Sequence, residues 1–353
     1  MTVDYIIVGQ GICGTFLSYY LQQSGKRVLV IDEDRPFTAS KVASGVINPV
    51  TGRRIVRTWM IEEVMPFAVD AYKELGEKIN TDLIRQSNIL DFHPTPQMML
   101  AFKERMPQEQ EYLRLPDNPT KWNEYFNYPF GIGEINPVWL MDLHALLKGW
   151  RNRLKETNSL LEDKFDQSQL VITTQSEVHY KEITAEKIIF CDGVAGIDNP
   201  YFRLLPYSQN KGEVIIAEID GLPQSNIYKQ GYNIVPWKDN LFWIGSTYEW
   251  SFTNPNPTEI FRKKVEIQLN AWLKLPYKIV DHIASIRPAN LERRPFVGFH
   301  PIYTNIGLFN GMGTKGCSLA PYFGHQFAAH LAEDKPLLPD VDVRRFSKIL
   351  SKA

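Results

Sequence analysis

The stretch DYIIVGQGICGTFLSYYLQQSGKRVLVIDED, residues 4 to 34, constrains the fold more than any other part of the chain. Tyr5, Ile6, Ile7 and Val8 form a short apolar run of the kind that a strand buried on both faces needs. After the glycines, Phe16, Leu17, Tyr20 and Leu21 recur at helical spacing, and Gly25 stands where a helix stops. VLVI then repeats the buried-strand pattern and is closed by Asp32. Strand, glycine turn, helix and strand form a βαβ unit, which commits this end of the chain to a parallel sheet.

Each glycine of GQGICG has a physical job if the turn cradles a dinucleotide. Gly9 allows the tight turn, Gly11 lets backbone approach a pyrophosphate, and Gly14 allows close helix–strand contact. The helix N-terminus offers unpaired N–H groups to the phosphates. Asp32, eighteen residues past Gly14, is placed to accept hydrogen bonds from ribose hydroxyls. A plain βαβ unit with a glycine turn competes with this reading, and both NAD and FAD fit it.

With 353 residues, 44% of them apolar, the chain can bury one or two sizeable cores shared by two subdomains. Its 39 basic and 40 acidic residues nearly cancel, which argues against a surface built for nucleic acid. The first strand begins near residue 3 and no long apolar run follows, so a cytoplasmic protein with no membrane span is expected. Cys13, Cys191 and Cys317 are widely separated among small apolar neighbours and read as core residues. The seven histidines show no metal-ligand spacing, so no metal is expected.

Residues 85 to 137 are rich in Pro, Asn, aromatic and charged residues and carry little sustained period. LMDLHALLKGW predicts an amphipathic helix over 139–154. KIIFCDGVAG reads as a second parallel strand ending at Gly193, where backbone can approach a ligand. From 211 to 250 the runs KGEVIIAEI, YNIVPW and LFWIGSTYEW predict an antiparallel sheet, followed by a helix over 258–273. IGLFNGMGTKGCSLAP is another strand, glycine turn and helix, whose N-terminus can face an electron-rich atom.

Five segments in this order resemble the FAD-dependent amino-acid oxidase family that includes D-amino acid oxidase, glycine oxidase and monomeric sarcosine oxidase. They are GQGICG with Asp32, TASKVASGVINP, KIIFCDGVAG, IRPANLERRPFVGFHP and GMGTKGCSLAP. The resemblance implies an α/β fold in which a Rossmann-like FAD-binding domain with a parallel sheet is interrupted by an antiparallel α+β substrate domain. The expected division gives 1–62, 138–204 and 288–353 to FAD, and 63–137 and 205–287 to substrate. It also implies noncovalent FAD held by Gly9, Gly11, Gly14, Asp32, Ser40, Ser44, Gly45, Gly193, Gly311, Gly313, Thr314, Lys315 and Gly316. The chain departs from the family at Glu292, where Asp is usual, and at Cys191, where Ala is usual.

The chemistry implied is oxidation of the C–N bond of a small amino acid or secondary amine, by hydride transfer to flavin N5, with oxygen or a quinone as acceptor. Such a substrate is oriented through its carboxylate, for which arginine is the natural clamp. Arg287 matches the glycine-oxidase position. Arg57 is the rival and Arg54 a flavin-side charge, by likeness to an Arg-x-x-Arg pair in sarcosine oxidases. Lys315 is placed to offset charge at the flavin N1/C2 carbonyl, and Tyr248 and Trp250 to line the pocket mouth. Two further functions stay open: oxidation of a glycine-like amine on a modified tRNA uridine, for which residues 53 to 57 are the local basic group, and a flavoprotein without turnover that binds or transfers electrons.

Overall fold

The computed structural model describes residues 1–52, 54–174 and 177–352. The opening βαβ unit is present: strand Thr2–Val8, helix Ile12–Gln23 and strand Val28–Ile31. Its strands pair in parallel with Tyr5 opposite Val28 and Ile7 opposite Val30. On the other side of Thr2–Val8 lies strand Ile183–Phe190, also parallel, with Ile7 opposite Ile189. The C-terminal half of Ile183–Phe190 takes strand Ile306–Asn310 in parallel, while its N-terminal half takes the antiparallel Glu177–Tyr180. Leu160–Leu161 closes the far edge beside Val28–Ile31.

Helices Ile12–Gln23 and Gly316–Glu333 pack together on one face of this sheet, burying Phe16, Leu17, Phe323 and Phe327. Trp150, fully buried on helix Leu143–Glu156, donates its indole N–H to Ser18 of the first helix at 2.8 Å. Removing such side chains from water stabilises by roughly 1.5–3 kcal/mol each, which is why these faces cannot separate.

The second sheet runs Tyr277–Arg287, Asn210–Ile219, Phe242–Gly245, Tyr232–Pro236, Ile227–Gln230, Ile84–Phe92, Ile132–Met141 and Val46–Ile47. Its pairings are antiparallel except one: Ile227–Gln230 runs parallel to Ile84–Phe92. Within 211–250 the strands pair antiparallel as expected, and the one parallel seam arises where Ile227–Gln230 meets a separate stretch of chain. Helix Glu259–Trp272 covers one face through Phe261, Val265 and Leu269. The opposite face, with Val214, Ile216, Val235 and Trp243, joins the core that contains Phe16 and Phe323.

Two sequence expectations shift. The helix predicted over 139–154 spans Leu143–Glu156, because Trp139–Met141 completes a strand and Asp142 caps the helix by accepting from the Ala145 N–H at 2.8 Å. The division expected at 138 therefore falls inside a strand. Residues 85–137 contain a long strand pair whose register shifts between Ser87 and Ile89, breaking the two-residue alternation that would have announced it.

Candidate functional site

The site is assembled from glycine turns at the C-terminal ends of the parallel strands, where such sheets bind ligands. At Gly9 φ is +99°, and a Cβ there would sit 2.5 Å from the Cys191 carbonyl oxygen. At Gly14 a Cβ would stand 1.9 Å from the Gly9 carbonyl oxygen. Both positions admit only glycine, one for the turn and one for helix–strand contact. The helix that follows has no acid in its first turn, and the Ser40 hydroxyl accepts the Ile12 N–H at 3.0 Å. Ser40 thereby ties the 38–49 loop to the helix start, leaving the positive helix end without a resident anion.

Asp32 accepts from the N–H of Gln10 at 2.8 Å, from the N–H of Asp34 at 2.9 Å and from Arg151 at 2.8 Å. A carboxylate has about four such sites, so roughly one remains for a ribose hydroxyl. Arg151 is the residue sequence reasoning missed. Its side chain, 8% exposed, also meets Gln10 and Glu162, and its Nε makes no hydrogen bond among the described residues. The signal was faint: one cation on the inward side of an amphipathic helix.

The second and third turns are bound to each other. Strand Ile183–Phe190 leads through Cys191 into Asp192 and Gly193, and strand Ile306–Asn310 leads into Gly311, with φ of +56° at Gly193 and +79° at Gly311. The Asn310 amide donates to the Gly193 carbonyl and to Asp192, both at 2.8 Å. The Arg-Pro segment joins them. Gly313 N–H donates to the Pro288 carbonyl at 3.1 Å, and Asn290 donates to the Gly311 carbonyl at 3.0 Å. Arg287 is thus brought next to the glycine loop. Gly316 opens the last helix and faces Ile12 of the first, while Thr314 is exposed.

The arginines have different surroundings. Arg287 donates to Asn210 Oδ1 at 2.5 Å, to the Thr247 carbonyl at 3.2 Å and to Ser246 at 2.7 Å, and lies 4.8 Å from the Tyr248 ring centre. It makes no ion pair among the described residues, and burial pulls its pKa down from the ordinary arginine range. Arg57 is the opposite case. It pairs with Glu62 and with the buried Glu109, which also meets Arg105 at 3.2 Å. Arg54 is exposed and Arg53 lies outside the described residues. Tyr248 and Trp250 are both more than half exposed, on the segment after strand Phe242–Gly245.

Lys315 occupies the position before the last helix without a side-chain capping bond, is half-buried, and donates to the Thr58 hydroxyl at 3.3 Å. It makes no ion pair among the described residues, and burial drives its pKa down to about 8. Gly45 has a structural reason to be glycine: φ is +73° and a Cβ would come 2.1 Å from the Met141 carbonyl oxygen. Ser44 beside it is half-buried. The three cysteines are buried and their thiols pushed upward by burial, so none is a thiolate nucleophile.

Glycine turns, an unneutralised helix end and cations without carboxylate partners define a dinucleotide-dependent enzyme of the parallel-sheet class. The chain belongs to the DAO family of FAD-dependent oxidoreductases, whose pattern matches residues 4–330. It spans 21% and 56% of the length of the first two curated relatives it matches. Glycine oxidase of Bacillus subtilis is 22% identical over 91% of this chain and 90% of its own. In the solved glycine oxidase of Bacillus cereus the fold superimposes with a TM-score of 0.78 at 17% identity, covering 95% of this chain and 96% of that one. Iminodiacetate oxidase of Chelativorans gives 0.73 at 18% identity over 98% of each. The family's cofactor is FAD, and the residues present fit it: the cradle at Gly9 to Gly14 tolerates no side chain, and Arg151 keeps an unused buried N–H beside Asp32. No described helix is long and apolar enough to cross a membrane.

Proposed function

We propose that the protein is an FAD-dependent oxidoreductase acting on the CH–NH group of a small amine that bears a carboxylate. Bound FAD supplies the hydride acceptor, so the chain itself has to bind, orient and balance charge. Arg287 carries the reading. It is a partly buried guanidinium held by neutral partners, with three of its five N–H donors used and no carboxylate opposite among the described residues. A cation set up this way favours an external carboxylate, which accepts two parallel hydrogen bonds from the remaining donors. Arg57, already paired with Glu62 and Glu109 and 3.9 Å from Glu111, holds strand Val56–Arg57 in place and does not compete. Tyr248 stacks on the clamp and restrains its plane.

Relatives named glycine oxidase and iminodiacetate oxidase support the choice of an amine bearing a carboxylate. The expected division of labour follows: the parallel-sheet segments hold FAD through Gly9, Gly11, Gly14, Ser40, Gly193, Gly311 and Gly313, and the mixed sheet delivers Arg287.

Anaerobic bleaching of the flavin band at about 450 nm by glycine, sarcosine, iminodiacetate or proline tests this. Reduction by at least one of them, with the concentration dependence lost in Arg287→Ala, is the expected result. Full reduction by an amine that lacks a carboxylate, with no effect of Arg287→Ala, would refute it.

A further inference from the structure

Asp192 lies inside the KIIFCDGVAG segment at the cofactor turns, and its carboxyl has not been given a role so far. It follows directly on strand Ile183–Phe190 and Cys191, and a Cβ at Gly9 would stand 3.4 Å from its Cα. Its carboxyl accepts from Asn310 at 2.8 Å and from Asn199 at 3.2 Å, and it has no cation partner among the described residues. Asn310 is used in full: its amide N–H groups go to Asp192 and to the Gly193 carbonyl, and its oxygen accepts the Gly311 N–H at 2.7 Å. The carboxyl therefore clasps the two glycine turns that face the cofactor.

A third polar group closes on the same place. A Cβ on Gly196 would stand 2.7 Å from the Tyr207 hydroxyl, 2.8 Å from the Asn310 amide nitrogen and 3.2 Å from an Asp192 carboxyl oxygen. The Tyr207 hydroxyl is buried with no hydrogen-bond partner among the described residues. The groups around the carboxyl are the Cys13 thiol from the first helix, the neighbouring Cys191 thiol, Tyr207, Asn199 and Asn310. Burial raises both thiols and the phenol, so none of these groups is charged near neutrality.

We propose that Asp192 is a cofactor-positioning residue that takes up one proton from solvent when FAD binds. The dinucleotide carries two negative phosphates to the Gly9 turn, against which the Asp192 backbone packs. A carboxylate without a cation is repelled by them, and the neutral carboxyl is not. Burial already places the Asp192 pKa at about 6 in the cofactor-free fold, within reach of this coupling.

This inference rests on FAD binding and not on the identity of the amine, so failure of every amine to bleach the flavin leaves it standing. The test is release of FAD from the holoprotein on dilution, followed by flavin fluorescence from about pH 5.5 to pH 8. With one linked proton, Kd is flat below about pH 6 and then rises toward tenfold per pH unit. Asp192→Asn is expected to flatten the curve up to about pH 7.5, whereas Lys315→Met, which removes the group titrating at about 8, keeps it. Titration calorimetry in buffers of different ionisation heat gives the protons taken up per FAD, expected to approach one near neutrality. A wild-type Kd that does not change between about pH 6 and 7.5, or an Asp192→Asn protein that keeps the wild-type slope, overturns the proposal. Should Asp192→Asn not fold, Asp192→Ser replaces it, and the wild-type slope and proton count still decide.

Discussion

Lys315 is expected to make the fold less stable than it would be without it, and the size of that penalty can be worked out. Its ammonium is half-buried at the positive end of helix Gly316–Glu333, with one hydrogen bond to Thr58 and no ion pair among the described residues. Its pKa falls from the ordinary 10.5 to about 8, chiefly through burial. A fall of about 2.5 pH units at 1.36 kcal/mol each is about 3 kcal/mol, an upper limit because the side chain keeps some water. The sign follows from proton counts. Between about pH 8 and 10.5 the unfolded chain binds more protons at this lysine than the folded one, so stability rises with pH across that window. Below about pH 8 the penalty is present in full.

Lys315→Met is therefore expected to stabilise the cofactor-free protein by about 1–3 kcal/mol at about pH 7, with the gain shrinking toward zero above about pH 10. Urea melts of the FAD-stripped protein at about pH 7 and about pH 9.5 measure the full gain and its decline to roughly half. A Lys315→Met protein less stable than wild type at about pH 7 would refute the reasoning, since it would mean that the ammonium contributes to the fold. A lysine that costs stability in the free protein fits a site whose negative charge arrives with the ligand or develops during reduction.

Three other changes separate fold from site. Gly14→Ala places a methyl group against the Gly9 carbonyl, 1.9 Å away before relaxation, and is expected to cost about 1–3 kcal/mol and most of the bound flavin, read by thermal melting and the flavin-to-protein absorbance ratio. Arg57→Met is expected to lower Tm, because Glu109 is buried and keeps only Arg105, while the amine concentration for half-maximal bleaching stays unchanged; a tenfold rise in that concentration would restore Arg57 as the clamp. Arg151→Met leaves Asp32 without its cation beside the dinucleotide cradle and is expected to weaken FAD at least about tenfold, as a lost charge-assisted hydrogen bond does. Fluorescence of FAD released on dilution measures it.

The local pattern of the chain determined its nucleotide-binding end. Apolar runs at Tyr5–Val8 and Val28–Ile31 around a glycine turn can satisfy backbone and burial only as a βαβ unit, so Gly9, Gly14 and Asp32 were legible in advance. The family resemblance supplied Arg287 and the glycines after Asn310. It did not separate the two arginines, which look alike in sequence. Their surroundings differ: Glu62, Glu109 and Arg105 around Arg57, and Asn210, Ser246 and Thr247 around Arg287, and the proposal of Arg287 as clamp rests on that difference.

Tertiary structure alone also decided Gly45, whose bare Cα makes room for the Met141 carbonyl, and the strand pair hidden in residues 84–141 behind a register shift. Arg151 reaches Asp32 across 119 positions, and Asn310 reaches Asp192 across 118. Periodicity and glycine spacing are local, so a sequence displays them directly. Whether a charge is neutralised depends on which groups the folded chain brings within a few ångströms, and burial then sets how strongly each is felt.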